Sequence, residues 1–122
     1  QVQSVSGGAH WGGGMFISAR DQARVGLLLA NHGRWNGKQI LPAAWVEAME
    51  TPSPMNPVYG LLFWLNRGRL SYPSAPESSA FALGAGGNVI FVDRSNDLVA
   101  VMRWMDSPAA DGFLSRVIKA VA

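Results

Sequence analysis

The 122-residue sequence contains no cysteine. Disulfides, thiolate metal sites and a cysteine nucleophile are therefore excluded. Charge is also scarce: Asp, Glu, Lys and Arg make up 15% of residues against 48% hydrophobic ones. Such a chain is too apolar to be a disordered tail. Its Lys and Arg are scattered and the net charge is only +2, whereas a nucleic-acid surface needs a basic stripe. No apolar run is long enough to span a membrane, and no signal peptide opens the sequence. The two histidines, His10 and His32, read as packed or capping residues, so no metal site is expected. The glycines at 7, 8 and 12–14 have no following G-K-[ST] and no preceding strand, so they do not read as a phosphate cradle. No other cofactor motif is present.

Five Trp and five Phe could bury a large area for a chain this short. With so little charge, more surface should be covered than a free monomer covers, which fits a segment of a larger fold. The sequence opens at Gln1 rather than Met, which fits a processed, a cut or a partial chain alike.

Ser18-Ala19-Arg20-Asp21 reads as an N-cap with its acid at the third helical position. The helix should run from Ala19 to about Asn31 and stop at a left-handed Gly33. Ala19, Ala23, Leu27 and Ala30 form one face, widened by Val25, Leu28 and Leu29, so a largely buried helix is predicted. Trp35-Asn36-Gly37-Lys38 suits a tight hairpin. Pro42 can then open a second helix reaching about Glu50, with Trp45 and Met49 inward. Tyr59 to Asn66 is apolar on both sides, as in a central strand. Two strands, Asn88–Val92 and Leu98–Trp104, are joined by Asp93–Asp97, a connection short enough to require an antiparallel pair. A terminal helix from Pro108 carries Phe113, Leu114, Val117, Ile118 and Val121 as one apolar stripe. The fold class is α/β (α+β), an antiparallel sheet with flanking helices and no domain boundary within 1–122.

Three stretches in order resemble the second half of the serine β-lactamase and penicillin-binding-protein-like superfamily. Gly12-Gly13-Gly14-Met15-Phe16-Ile17-Ser18-Ala19-Arg20-Asp21-Gln22-Ala23-Arg24-Val25-Gly26 is similar to a glycine-then-helix segment, G-G-L-x-x-S-A-x-D-x-A-R-F-G. Gly33-Arg34-Trp35-Asn36-Gly37-Lys38-Gln39-Ile40-Leu41 with Trp45-Val46 is similar to G-x-W-N-G-K-x-L-L…W-V. The third stretch is Tyr59-Gly60 to Trp64, then Gly84-Ala85-Gly86-Gly87-Asn88 and Asp93…Leu98-Val99-Ala100-Val101. The nearest branch contains class C β-lactamase-related esterases and 6-aminohexanoate-dimer hydrolase. The resemblance implies the C-terminal part of a β-lactamase/transpeptidase-like catalytic domain, acting on small ester or amide substrates without a cofactor. It also implies a periplasmic or secreted setting.

Enzymes of this superfamily use a serine in S-x-x-K as nucleophile, with that lysine and a tyrosine in Y-x-N handling protons. Neither motif occurs here: no serine has a lysine three residues on, and Tyr59 and Tyr72 are followed two residues on by Leu61 and Ser74. The resemblance therefore implies a partner, the N-terminal part of the same hydrolase carrying both motifs, and no acyl-transfer activity for this chain alone. The family's third motif, K-T-G or H-x-G or W-x-G, would be Ala82-Leu83-Gly84 with Gly87 as the later glycine. In that register the Ala85 backbone N–H is one oxyanion-hole donor, and Gly86, Gly87 and Asn88 adjoin the substrate. A second register takes Gly84-Ala85-Gly86 as the motif and Gly87 as the donor. Ala82 stands where β-lactamases carry a lysine for the substrate carboxylate, which turns the expectation from β-lactams toward less acidic esters and amides. The alternatives are a cell-wall or carbohydrate-binding module built on the tryptophans, with Trp11 or Trp64 lining a pocket, or a degenerate homologue.

Overall fold

The computed structural model describes residues 3–4 and 15–121. Along the chain run β1 (Gln3–Ser4), β2 (Met15–Phe16), α1 (Ala19–Ala30), β3 (Arg34–Trp35), β4 (Lys38–Gln39), α2 (Ala43–Met49), β5 (Trp64–Leu65), β6 (Ala80–Gly84), β7 (Asn88–Asp93), β8 (Leu98–Met102) and α3 (Ser107–Val121). β1 pairs with β2 and β3 with β4, while the main sheet has the order β5-β6-β7-β8. Every pairing is antiparallel. The mixed α+β class and the antiparallel Asn88/Leu98 pair are as expected.

Strand alternation gives the sheet two apolar faces. Phe81, Val89, Phe91, Ala100 and Met102 form one face, which packs with Ala110 and Leu114 of α3. Ala80 and Val92 lie on the other, clustered with Leu29 of α1 and Val46 of α2. The sheet is thus the middle of three layers. Fully burying side chains such as Phe81, Phe91, Met102 and Leu114 contributes about 1.5–3 kcal/mol each relative to exposure.

Local signals predict the helix ends well. The Ser18 hydroxyl accepts from the Asp21 N–H at 3.1 Å. At the other end the Gly33 N–H donates to Leu28 O (2.8 Å) and the His32 N–H to Leu29 O (3.0 Å). That pair of bonds is a Schellman motif, and the left-handed stop begins one residue earlier than expected, at His32 (φ 51°), with Gly33 following at φ 81°. Gly33 is still required, because a β-carbon there would strike the Leu41 carbonyl. Asn36 (φ 47°) and Gly37 (φ 78°) make the anticipated hairpin turn.

Four sequence expectations are corrected. Helix α1 is not largely buried: only Gly26 and Leu29 are, while Val25 and Leu27 of the predicted face are exposed. Its apolar arc is too broad for periodicity to choose a side. Gly26 chooses it, since a β-carbon there would overlap Val99 and Ile90 of the sheet. In α2 Met49 packs against the core as expected, but its partner inside is Val46, and Trp45 is 53% exposed; Pro42 sits just before the helix, at its N-cap.

Tyr59 to Asn66 is not a central strand. Gly60 N–H bonds to Phe63 O at 2.8 Å, Leu62 takes φ 62°, and the run folds into a turn leaving two residues as edge strand β5. An unbroken apolar run carries no periodicity to separate these outcomes. In α3 the buried stripe is Ala110 and Leu114, flanked by Phe113, Val117 and Ile118, while Val121 is exposed beyond the sheet.

Two polar clusters with no sequence signature fix the loops. Asn66, wholly buried, donates through Nδ2 to Tyr72 O (2.9 Å), Ala75 O (3.3 Å) and Pro76 O (3.1 Å). Its Oδ1 accepts from the Tyr72 N–H at 3.0 Å. Arg94, in the turn between β7 and β8, makes a two-pronged pair with Glu50 at the end of α2, at 2.5 and 2.8 Å. The same guanidinium donates to Leu29 O (2.6 Å) and Ala30 O (3.1 Å) at the C-terminus of α1, where the helix dipole favours a cation.

Candidate functional site

The residues singled out in sequence, Ala82 to Asn88, span the hairpin from β6 into β7. Gly84 pairs with Asn88, and Ala85-Gly86-Gly87 forms the turn, with Gly86 at φ 78° and Gly87 at φ 70°. Asn88 Nδ2 donates to Ala85 O at 2.7 Å, which pins the turn from inside. The glycines are also needed for space: a β-carbon on Gly86 would meet the Trp104 ring, and one on Gly87 the Met105 carbonyl.

The hairpin has one open edge. β7 pairs with all of Ala80–Gly84, but β5 reaches only Ala80 and Phe81. Ala82 to Gly84 therefore have no ladder partner on the β5 side among the described residues. Which groups face that edge follows from alternation along an antiparallel strand. Asn66 N–H donates to Ser79 O at 2.9 Å, while Leu65 N–H turns away to Val58 O at 2.9 Å. Ser79, Phe81 and Leu83 thus direct backbone groups toward β5, and Leu83 meets the open edge; Ala85 follows beyond the strand end, in the exposed turn. Gly87 faces the opposite way, its carbonyl accepting from the Met105 N–H at 3.4 Å.

The side chains divide between the faces. Ala82 packs toward the α1–α2 cluster, and Asn88 shares that face by register. Leu83 points to the α3 face, where it and Gly87 border an apolar cleft of about 210 Å³. Trp64, Phe81, Val89 and Met102 continue its wall, with Ser71 and Ser107 contributing hydroxyls. No charged side chain lines it. Gly84, Ala85 and Gly86 are exposed.

Tyr72 also lines the cleft, its ring edge-on to Phe81 (4.8 Å) and Phe91 (5.9 Å). Burial, followed by the nearby Asp111 carboxylate, pushes its phenol above the ordinary value, so Tyr72 is a neutral hydroxyl at physiological pH. Asp111 itself is held to the Tyr72 loop, accepting from Ser74 N and Oγ at 2.9 Å each.

Among the described tryptophans, Trp64 lines the cleft. Trp104, a strand-end residue in sequence, lies instead against Gly86 of the turn, is 74% exposed and has φ 54°. A bulky residue in the left-handed region next to a candidate site is the one sign that could have marked it, and that sign is not in the sequence. His10, Trp11 and the glycines at 7, 8 and 12–14 lie outside the described residues. His32 is an exposed helix-end residue. Asp21 and Arg24 pair on the surface of α1, an arrangement worth little. Among the described residues no three His, Asp or Glu side chains are grouped as metal ligands, and no helix is long and apolar enough to cross a membrane.

No protein-family model and no curated protein matches the chain. Among solved structures it is similar to a Bacillus anthracis protein described as "Putative 6-aminohexanoate-dimer hydrolase", with 25% identity and a TM-score of 0.64 over 88% of this chain. The chain spans 29% of that protein's length. The likeness is consistent with the C-terminal part of a β-lactamase-like fold.

Proposed function

We propose that this chain is the C-terminal part of a serine hydrolase acting on esters or amides, and that it supplies the wall of the active site opposite the nucleophile. The nucleophilic serine, its lysine and the proton-handling tyrosine belong to the remainder of that hydrolase, in S-x-x-K and Y-x-N. The observation that carries the reading is the open edge of β6. A strand end whose backbone has no ladder partner on that side among the described residues, beside an apolar cleft, suits a developing oxyanion, because fixed amides there need no reorganisation during reaction.

Ala85 is the donor in this reading, and Gly84 lets the backbone approach the substrate closely. This register is favoured over the one that uses Gly87 because the Gly87 backbone is engaged on the β8 side, its carbonyl accepting from the Met105 N–H. The residues from Ala82 to Asn88 bring no cation to the site, which favours neutral substrates over anionic β-lactams.

The intact hydrolase should be labelled by a fluorophosphonate probe, and the 122-residue chain alone should not. It should hydrolyse short p-nitrophenyl esters faster than nitrocefin. Ala85→Pro removes the proposed donor and should lower kcat by about 10²–10³-fold, while fluorophosphonate labelling of the folded variant slows without being abolished. Turnover unchanged in Ala85→Pro would remove that amide from the mechanism, and an intact protein inert to the probe would remove the hydrolase reading.

A further inference from the structure

The hydrolase reading leaves the substrate's shape open, and the cleft on the α3 face narrows it. We infer that this cleft binds an uncharged, benzene-sized apolar arm of the substrate beside the scissile carbonyl. The inference rests on the proposed role of the β6 edge, because that edge sets where the carbonyl lies.

The connection is Leu83. Its backbone faces the open edge, while its side chain, 48% exposed, borders the cleft. Gly87, at the far end of the same turn, borders it as well. A group attached to a carbonyl at the β6 edge therefore needs only to pass Leu83 to enter. Size sets the first limit: an apolar cavity of about 150 Å³ is enough to hold benzene, and this one measures about 210 Å³.

Chemistry sets the second limit. The walls are Phe81, Val89, Met102 and the Trp64 ring, and no Lys or Arg is among the lining residues to pair an anion. An arm ending in a carboxylate would lose its hydration without gaining a partner. Ser71, Ser107 and the neutral Tyr72 hydroxyl can offer hydrogen bonds to an ether, amide or hydroxyl on the arm, but none can neutralise a charge.

Both serines are exposed, so enlarging them obstructs the entrance without altering the buried floor. The binding test uses the intact hydrolase and three probes, phenylacetamide, phenylacetate and acetamide, followed through backbone amide NMR signals. Phenylacetamide should shift Leu83, Val89 and Ala110 in a saturable way, and phenylacetate and acetamide should bind at least tenfold more weakly. Ser107→Phe should weaken phenylacetamide by tenfold or more, and Ser71→Phe, from the opposite rim, should do the same if Ser107→Phe does not fold. Phenylacetate binding as well as phenylacetamide, or phenylacetamide binding unchanged by a folded rim variant, would overturn the inference.

In the intact hydrolase the same variants should lower the ratio of kcat/KM for p-nitrophenyl phenylacetate to that for p-nitrophenyl acetate by about tenfold. An unchanged ratio would place the arm elsewhere. Because the NMR arm needs no turnover, loss of the cleft assignment and loss of the hydrolase reading give different results.

Discussion

Replacing Asn66 with alanine should be among the most damaging single changes in the chain, although Asn66 is not among the residues that line the cleft. Its amide holds the segment that carries Ser71 and Tyr72 to the cleft, through donations to three carbonyls and acceptance of the Tyr72 N–H. Alanine leaves these groups without a side-chain partner. The Tyr72 N–H and the Tyr72 and Ala75 carbonyls lie in buried surroundings, so three unsatisfied groups at roughly 1–2 kcal/mol each give a loss of about 3–6 kcal/mol. That is a large part of the ~5–15 kcal/mol by which a domain is stable. Urea unfolding followed by tryptophan fluorescence measures it, with the midpoint falling at nearly constant slope. Asn66→Asp separates donor from acceptor. It keeps the oxygen that accepts from Tyr72 but loses the donors and buries a charge, so its folded-state pKa lies above the unfolded value. Its destabilisation should therefore grow as pH rises through about 4 and be partly relieved in acid. A loss below about 1 kcal/mol in Asn66→Ala would refute the view that this one side chain organises residues 72–76.

Arg94→Met should cost about 2–3 kcal/mol by the same denaturation assay, since it uncaps α1 and leaves the half-buried Glu50 unpaired; the double variant with Glu50→Gln should recover part of the loss. Gly26→Ala improves helix propensity by about 1 kcal/mol, yet it should be net destabilising by about 1–2 kcal/mol because the new methyl pushes α1 off Val99 and Ile90. Tyr72, with its phenol raised mainly by burial, should ionise in the ultraviolet titration only above the ordinary value of 10.0. The unfolded chain releases that proton first, so stability falls as pH rises from the unfolded pKa toward the folded one. Asp111→Asn should lower the Tyr72 midpoint only slightly, since Asp111 is the smaller of its two causes.

The elements readable from sequence are those whose signals are local. Ser18 and Asp21 declare a helix start, Asn36-Gly37 a hairpin, and five residues between two β-branched runs an antiparallel return. The errors arise where the deciding partner is distant in sequence. The sheet-facing side of α1 is set by Val99 and Ile90 meeting Gly26, and Tyr59 to Asn66 bends because Gly60 fits against the Met49 carbonyl. Asn66 and Arg94 resolve into networks only once the loops are in place. The candidate site divides in the same way: its strand-turn segment is visible as a motif, but the open edge depends on how short β5 is. The cleft depends on α3 lying across the far face, and Trp104 enters through a backbone angle rather than a pattern.

β8 pairs with β7 on one side only, and no ladder covers its other side among the described residues. Its sequence, Leu98-Val99-Ala100-Val101-Met102, contains no charge and no proline. Natural edge strands usually carry such residues to deter pairing with a second chain. The charges that flank it are Asp97 and Arg103, and the Arg103 guanidinium donates to the Ile17 carbonyl at 3.0 Å. That arginine is therefore a gatekeeper as well as a tether. Its removal should shorten the time to fibre formation at concentrations where the parent chain stays in solution.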